Sequence, residues 1–152
     1  MPANRLAVRV SMATGLRISD VLSIKTSQLA ERFSVIEHKT GKRRRVYIPR
    51  ALLGEMFAQS GRFFVFPSRC NEMKPRSRQA VFKDLKRAAK LFRVDKDINL
   101  APHSARKVFA VEKLKKTGDL KKVQQLLNHS SEAVTMVYAM ADILTERRLG
   151  KH

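Results

Sequence analysis

One stretch sets a phenol and an imidazole at a fixed distance. Leu127-Asn128-His129-Ser130-Ser131-Glu132-Ala133-Val134-Thr135-Met136-Val137-Tyr138 places one of four histidines nine residues before one of two tyrosines. Ser131 lies between them, where its hydroxyl can accept from first-turn N–H groups as the N-cap of a short helix. Upstream, Pro102-His103-Ser104-Ala105-Arg106 spaces a histidine and an arginine three apart, on one face if a helix begins there. Ala13-Thr14-Gly15-Leu16-Arg17-Ile18-Ser19-Asp20 sets a second arginine beside a turn. These groups suit phosphodiester chemistry. A tyrosine hydroxyl with a pKa near 10 costs about 4 kcal/mol to ionise at neutral pH, and the phosphate's own charge repels nucleophiles. Two guanidiniums, Arg17 and Arg106, answer both problems: they bind the non-bridging oxygens bidentately, and their field favours developing phenolate. His103, near a helix N-terminus that disfavours imidazolium, is a candidate to accept the tyrosine proton or orient the phosphate. His129 can donate a hydrogen bond to a non-bridging oxygen.

The elements that must position these groups can be read in order. Asn4 can cap a helix carrying Leu6, Val10 and Ala13 on one side and ending at Gly15, which suits a positive φ. Ser19 caps a second short helix through Val21, Leu22 and Ile24, so Arg17 sits in the turn between two helices, with Asp20 near enough to fix its guanidinium. Residues 33–38 and 45–49 read as the strands of a hairpin whose tip, Lys39-Thr40-Gly41-Lys42-Arg43-Arg44, is strongly basic. Leu52, Leu53, Met56 and Phe57 form an apolar stripe at helical spacing, read as core. Residues 63–67 form a short buried extended segment, and 68–75 a loop. Arg76-Ser77-Arg78 opens a long helix through Val81, Leu85 and Phe92, and arginines at a helix N-terminus make a ready phosphate clamp. Residues 94–101 are irregular. Pro102 precedes a helix from His103 through Leu114, closed by Gly118, and Asp119 caps another that runs through Leu127. His129 then falls in a tight loop before the Tyr138 helix, and 142–150 form a weak amphipathic helix.

A chain of 152 residues is long enough for one domain with a single core. No apolar run is long enough to span a bilayer, which reads as soluble and intracellular. The single cysteine, Cys70, excludes an internal disulfide. Thirty-two Lys and Arg against thirteen Asp and Glu give +19, pointing to a polyanionic partner, nucleic acid first. The charge is spread over all elements rather than along one helix, unlike a membrane-surface protein. There is no P-loop and no carboxylate cluster for magnesium.

Taken together, ATGLRISD, HKTG, HSAR and LLNHSSEAVTMVY, from about Leu6 to Tyr138, resemble the catalytic domain of the tyrosine recombinase (phage integrase) family in order and spacing. The resemblance implies an α+β, mainly α fold: a helical catalytic domain with a small antiparallel β-hairpin on one side. It implies six catalytic residues, Arg17, Lys39, His103, Arg106, His129 and Tyr138. Lys39 takes the place of a mobile general-acid lysine, with Lys42 as its rival. Tyr47 lies inside a strand and is expected to pack, which leaves Tyr138 as nucleophile. Attack by Tyr138 on the scissile phosphate would give a 3′-phosphotyrosyl enzyme and a free 5′ hydroxyl, whose return attack rejoins the strand without metal, ATP or other cofactor. The expected partner is double-stranded DNA, held in part by Lys42, Arg43, Arg76 and Arg78. A homotetramer on DNA, exchanging C-terminal segments within 142–152, and a cytoplasmic, nucleoid-associated site in a bacterial or phage-encoded setting also follow. Residues 1–152 read as one catalytic domain, with the family's usual N-terminal DNA-clamping domain absent. The alternatives are a type IB topoisomerase and a non-enzymatic basic DNA-binding protein.

Overall fold

The computed structural model describes residues 2–91 and 102–127, the side chains of Pro102 and His103 apart. The expected loop at 94–101 falls in the gap between them, and the expected His129 loop, Tyr138 helix and 142–150 helix fall on residues outside those described. The described residues form six α-helices and one antiparallel hairpin, in agreement with the mainly helical α+β fold expected. The helices are α1 (Pro2–Thr14), α2 (Ile18–Leu22), α3 (Arg50–Gln59), α4 (Arg78–Leu91), α5 (Pro102–Thr117) and α6 (Leu120–Leu127); the strands are β1 (Arg32–Ile36) and β2 (Arg43–Tyr47).

Helix α1 is the hub, packing against α2, α3, α4 and α5. It begins at Pro2, where a missing N–H costs nothing. Asn4 is therefore inside the helix rather than its cap. Buried there, it donates Nδ2 to the Ala80 carbonyl at 3.2 Å and to Asp84 Oδ2 at 2.8 Å, pinning α1 to α4. Leu6, Ala7 and Val10 face a core shared with Leu16, Val21 and Leu22 around α2, Val35, Val46 and Ile48 of the hairpin region, Met56 of α3, Phe66, and Val81 of α4. Phe57 is 52% exposed and so leaves the expected apolar stripe of α3. Only Leu52 and Met56, four residues apart, are buried on that helix. The extended segment is likewise less buried than its composition suggests: Val65 and Phe66 are inside, Phe63 partly outside.

The hairpin register pairs Phe33 with Val46 and Val35 with Arg44 on one face, and Arg32 with Tyr47, Ser34 with Arg45 and Ile36 with Arg43 on the other. The first face is inward and the second outward, because successive side chains alternate. Tyr47 consequently points outward and is 56% exposed, against the expectation that it packs. An Arg32 guanidinium lies over its ring.

A smaller core of Phe109, Ala110, Val123 and Leu127 joins α5 to α6. The stop and start between them are as the sequence suggests. Gly118 takes φ +63, and its N–H donates to the Leu114 carbonyl at 2.8 Å. Asp119 Oδ1 accepts from the Lys122 N–H at 3.0 Å as an N-cap.

Candidate active site

Arg17 is the N-cap residue of α2, with φ −64 and ψ 147. Its carbonyl accepts from the N–H groups of Asp20 at 2.9 Å and Val21 at 3.0 Å, so its backbone is fixed by the helix it starts. Ser19, expected at that cap, lies inside α2. On the other side Gly15, at φ +69, ends α1 by donating to the Ser11 carbonyl. A Cβ on Gly15 would stand 2.5 Å from Phe109 Cδ1 and 2.6 Å from Cε1. Glycine therefore does two things here: it adopts the left-handed conformation, and it lets the turn carrying Arg17 lie directly on α5, one turn from Arg106. Two residues remote in sequence are brought together by the missing side chain of a third.

The partner of Arg17 is Glu37, not Asp20. Arg17 Nη1 donates to Glu37 Oε2 at 2.6 Å; the carboxylate is wholly buried, while the Arg17 side chain keeps 16% of its surface exposed. Asp20, also buried, instead accepts from the His38 N–H at 3.0 Å, with His38 Nδ1 3.4 Å from the same oxygen. Both carboxylates thus hold the hairpin to the Arg17 turn through successive residues. Glu37 further accepts from Thr40 Oγ1 at 3.1 Å, and its Oε1 lies 3.5 Å from Arg44 Nη1. Burial pushes the Glu37 carboxyl up. The Arg17 hydrogen bond and charge, the Thr40 hydroxyl and the charge of Arg106 outweigh it, leaving Glu37 below the ordinary carboxylate value.

Arg44 was legible only as part of a basic tip, yet its role is internal. Nη2 donates to the Thr14 carbonyl at 2.5 Å and Nη1 to the Gly15 carbonyl at 3.2 Å. A guanidinium on the last carbonyls of α1 satisfies acceptors the helix leaves open and meets the negative end of its dipole. Burial lowers the Arg44 pKa, and the charge of Glu37 only partly offsets it. Neither Glu37 nor Arg44 was singled out from sequence. The alternation of Phe33, Val35 and Glu37, and of Arg44, Val46 and Ile48, was the signal that both face inward.

Arg106 is 2% exposed. Its Nη2 donates to the carbonyl of Leu127, the final residue of α6. One of its five N–H donors therefore fixes the point from which the chain continues towards His129 and Tyr138. His103 lies in the first turn of α5, three residues before Arg106 on the same helix. Lys39 occupies the exposed turn between β1 and β2, two residues after Glu37, and Lys42 is exposed at the end of that turn. Arg43 is on the outward hairpin face. Arg78, exposed, is the first residue of α4, but Arg76 is partly buried and turned inward, Nη1 3.3 Å from Asn4 Oδ1. Of the expected catalytic set, Arg17 and the turn that carries Lys39 therefore meet at Glu37, and the charge of Arg106 on α5 reaches the same carboxylate. His129 and Tyr138 lie outside the described residues.

Comparison with known proteins gives the chain a lineage. The Phage integrase family matches residues 2–143. The chain belongs to the phage integrase family. Among curated proteins, this integrase-family chain is 31% identical to the probable integrase/recombinase YoeC of Bacillus subtilis, over 88% of the chain and 75% of that protein. It is 30% identical to the tyrosine recombinase XerD of Corynebacterium glutamicum over 98% of the chain, and spans about half, 52%, of that protein's length. Among solved structures, the XerA recombinase superposes with a TM-score of 0.71 at 21% identity, covering 96% of this chain and 58% of XerA. A lambda integrase dimer bound to a COC′ core site gives 0.75 at 22%, covering 90% and 52%. These shared folds agree with the helical domain and hairpin described above. The family is one of enzymes that break and rejoin DNA, and its relatives here are recombinases and integrases, which favours strand exchange over the topoisomerase alternative. Among the described residues no helix is long and apolar enough to cross a membrane.

Proposed function

We propose that this chain is the catalytic domain of a site-specific recombinase that cleaves and rejoins double-stranded DNA through a 3′-phosphotyrosyl link. The supporting observation is that the charges of Arg17 and Arg106, held on different elements, both act on the Glu37 carboxylate. The same two charges can act together on the phosphate of a bound DNA strand. In this reading they bind the non-bridging oxygens and lower the barrier by meeting charge as it develops. Tyr138 Oη forms the new P–O bond as the bond to the 5′ oxygen breaks. Lys39 on its exposed turn gives that oxygen a proton, and His103 or a neighbouring base takes the tyrosine proton. Return attack by a 5′ hydroxyl reverses every step, so no external energy source enters. Lys42, Arg43 and Arg78, all exposed, contact the DNA backbone; assembly as a tetramer through the C-terminal segment and residence on the nucleoid belong to the same proposal.

The test is incubation with a nicked suicide duplex, from which the departing strand diffuses away. The expected result is a denaturation-resistant protein–DNA adduct that disappears in Tyr138→Phe. In Arg17→Ala and Arg106→Ala cleavage should fall far more than binding. An adduct that persists in Tyr138→Phe, or arginine variants that lose binding and cleavage in parallel, would overturn the proposal.

A further inference from the structure

Glu37 has a place in the fold that its neighbours in sequence do not share. It is the residue at which β1 stops pairing. Its N–H donates to the Lys42 carbonyl at 3.0 Å and its carbonyl accepts from the Gly41 N–H at 2.8 Å, so its backbone closes the Lys39 turn at both ends. Its side chain leaves that turn inward, wholly buried, and bonds Arg17 Nη1 while Thr40 Oγ1, from the turn itself, bonds the same oxygen. Arg44 stands against the other oxygen, and its own guanidinium grips the carbonyls of Thr14 and Gly15 just before Arg17. One carboxylate is thus tied to the end of α1, the Arg17 guanidinium and the turn that carries Lys39.

Two guanidiniums on one carboxylate repel one another, and a guanidinium on a flexible stem has many orientations. A buried carboxylate on one Nη removes both difficulties. It offsets part of the charge and fixes the plane of the fork, leaving the other Arg17 donors for an incoming anion. We propose that Glu37 is a positioning residue for the strand-cleavage reaction: it sets the orientation of Arg17 and couples it to the Lys39 turn, without itself touching DNA. The inference rests on the recombinase reading. It also makes a demand of its own, that Arg17 be held before DNA arrives.

Two measurements on the full chain test it. The first is the rate of adduct formation and the affinity for the nicked suicide duplex in wild type, Glu37→Gln and Glu37→Asp. Glutamine should bind within about 3-fold of wild type but form adduct about 100-fold more slowly, since a displacement of the reacting geometry by an ångström costs about that factor. Aspartate, which restores the charge on a shorter stem, should recover part of the rate. The second is the side-chain nitrogen spectrum of Arg17 without DNA. The two Nη signals should be separate in wild type, where the hydrogen bond hinders rotation, and merged in Glu37→Gln. Glutamine at the wild-type rate, equal loss of affinity and rate, or Arg17 signals indifferent to the substitution would each overturn the proposal. Should Glu37→Gln fail to fold, Thr40→Val decides. That position is exposed and the substitution keeps the charge, so the expected slowing is about 3- to 10-fold, and a wild-type rate refutes the coupling. A wild-type protein that makes no adduct sinks the recombinase reading alone, because the Arg17 spectrum still tests the clamp.

Discussion

Replacing Gly15 by alanine should do more damage than the same change at any other described glycine. The new Cβ would stand 2.5, 2.6 and 3.0 Å from three ring atoms of Phe109, so the ring or the turn must move. Forcing a side chain into such a contact costs about 1–3 kcal/mol. The backbone adds a second penalty: at φ +69, an L-residue other than glycine pays about 1–2 kcal/mol. Together they predict about 2–5 kcal/mol, which at about 2–4 °C per kcal/mol for a chain of this size lowers Tm by about 4–20 °C. The two penalties separate in a double-mutant cycle. In a Phe109→Ala background the clash is gone, so Gly15→Ala should cost only the conformational part, a coupling of about 1–3 kcal/mol. Urea unfolding of the four proteins measures it. Arg17 follows Gly15 by two residues and Arg106 precedes Phe109 by three, so the wedge should also part the two guanidiniums. Adduct formation is expected to fall about 100-fold with DNA binding largely kept. A Tm within about 2 °C of wild type, or a cost undiminished by Phe109→Ala, would refute the idea that this glycine sets the approach of the Arg17 turn to α5.

Arg44→Gln removes the guanidinium from the Thr14 and Gly15 carbonyls and from Glu37, and should lower stability in urea by about 2–4 kcal/mol. Lysine should rescue it poorly, because one ammonium cannot reproduce the fork. Glu37 predicts an acid limb in stability. Its folded pKa lies below the ordinary 4.5, so an unfolded chain takes up the proton first. The stabilisation is present above that value and is lost as pH falls through the folded pKa; urea midpoints measured down this range should fall less steeply in Glu37→Gln. Lys42→Ala and Arg78→Ala, both at exposed positions, should leave Tm unchanged while each lowers the slope of log binding constant against log salt by about 0.9. A change in Tm with no change in slope would make them structural residues.

Much of the fold was legible because short-range rules act without tertiary help. The spacing of Leu6 and Val10, the glycine stops at 15 and 118 and the aspartate start at 119 all operate within one or two turns of helix. The hairpin was legible for the same reason. What failed was parity and partnership. Tyr47 was read as packed because it is an aromatic in a strand, yet counting by twos from the buried Val46 and Ile48 sends it outward. The same count sends Glu37 and Arg44 inward. Asp20 was assigned to Arg17 by proximity in sequence. The structure gives Arg17 to Glu37 because the hairpin returns across the α1–α2 turn, a contact that no local spacing encodes. Asn4 shows the same limit from the other side: it has the composition of a cap, but Pro2 can begin the helix earlier, and the Asn4 side chain finds α4 instead. Arg17, Lys39, His103 and Arg106 are singled out by motif, whereas the carboxylate that links Arg17 to the Lys39 turn carries no motif and is visible only once the elements are packed.

The two tyrosines supply the most direct test. Tyr47 is exposed on the outer hairpin face, so burial does not exempt it from attack chemistry. The covalent complex with a nicked suicide duplex can be trapped, digested and mapped by mass spectrometry to the peptide that carries the phosphate. The phosphorus should be found on Tyr138 in wild type, with no adduct at all in Tyr138→Phe. Phosphorus on Tyr47, or a wild-type chain that binds the duplex and never becomes linked to it, would contradict the account.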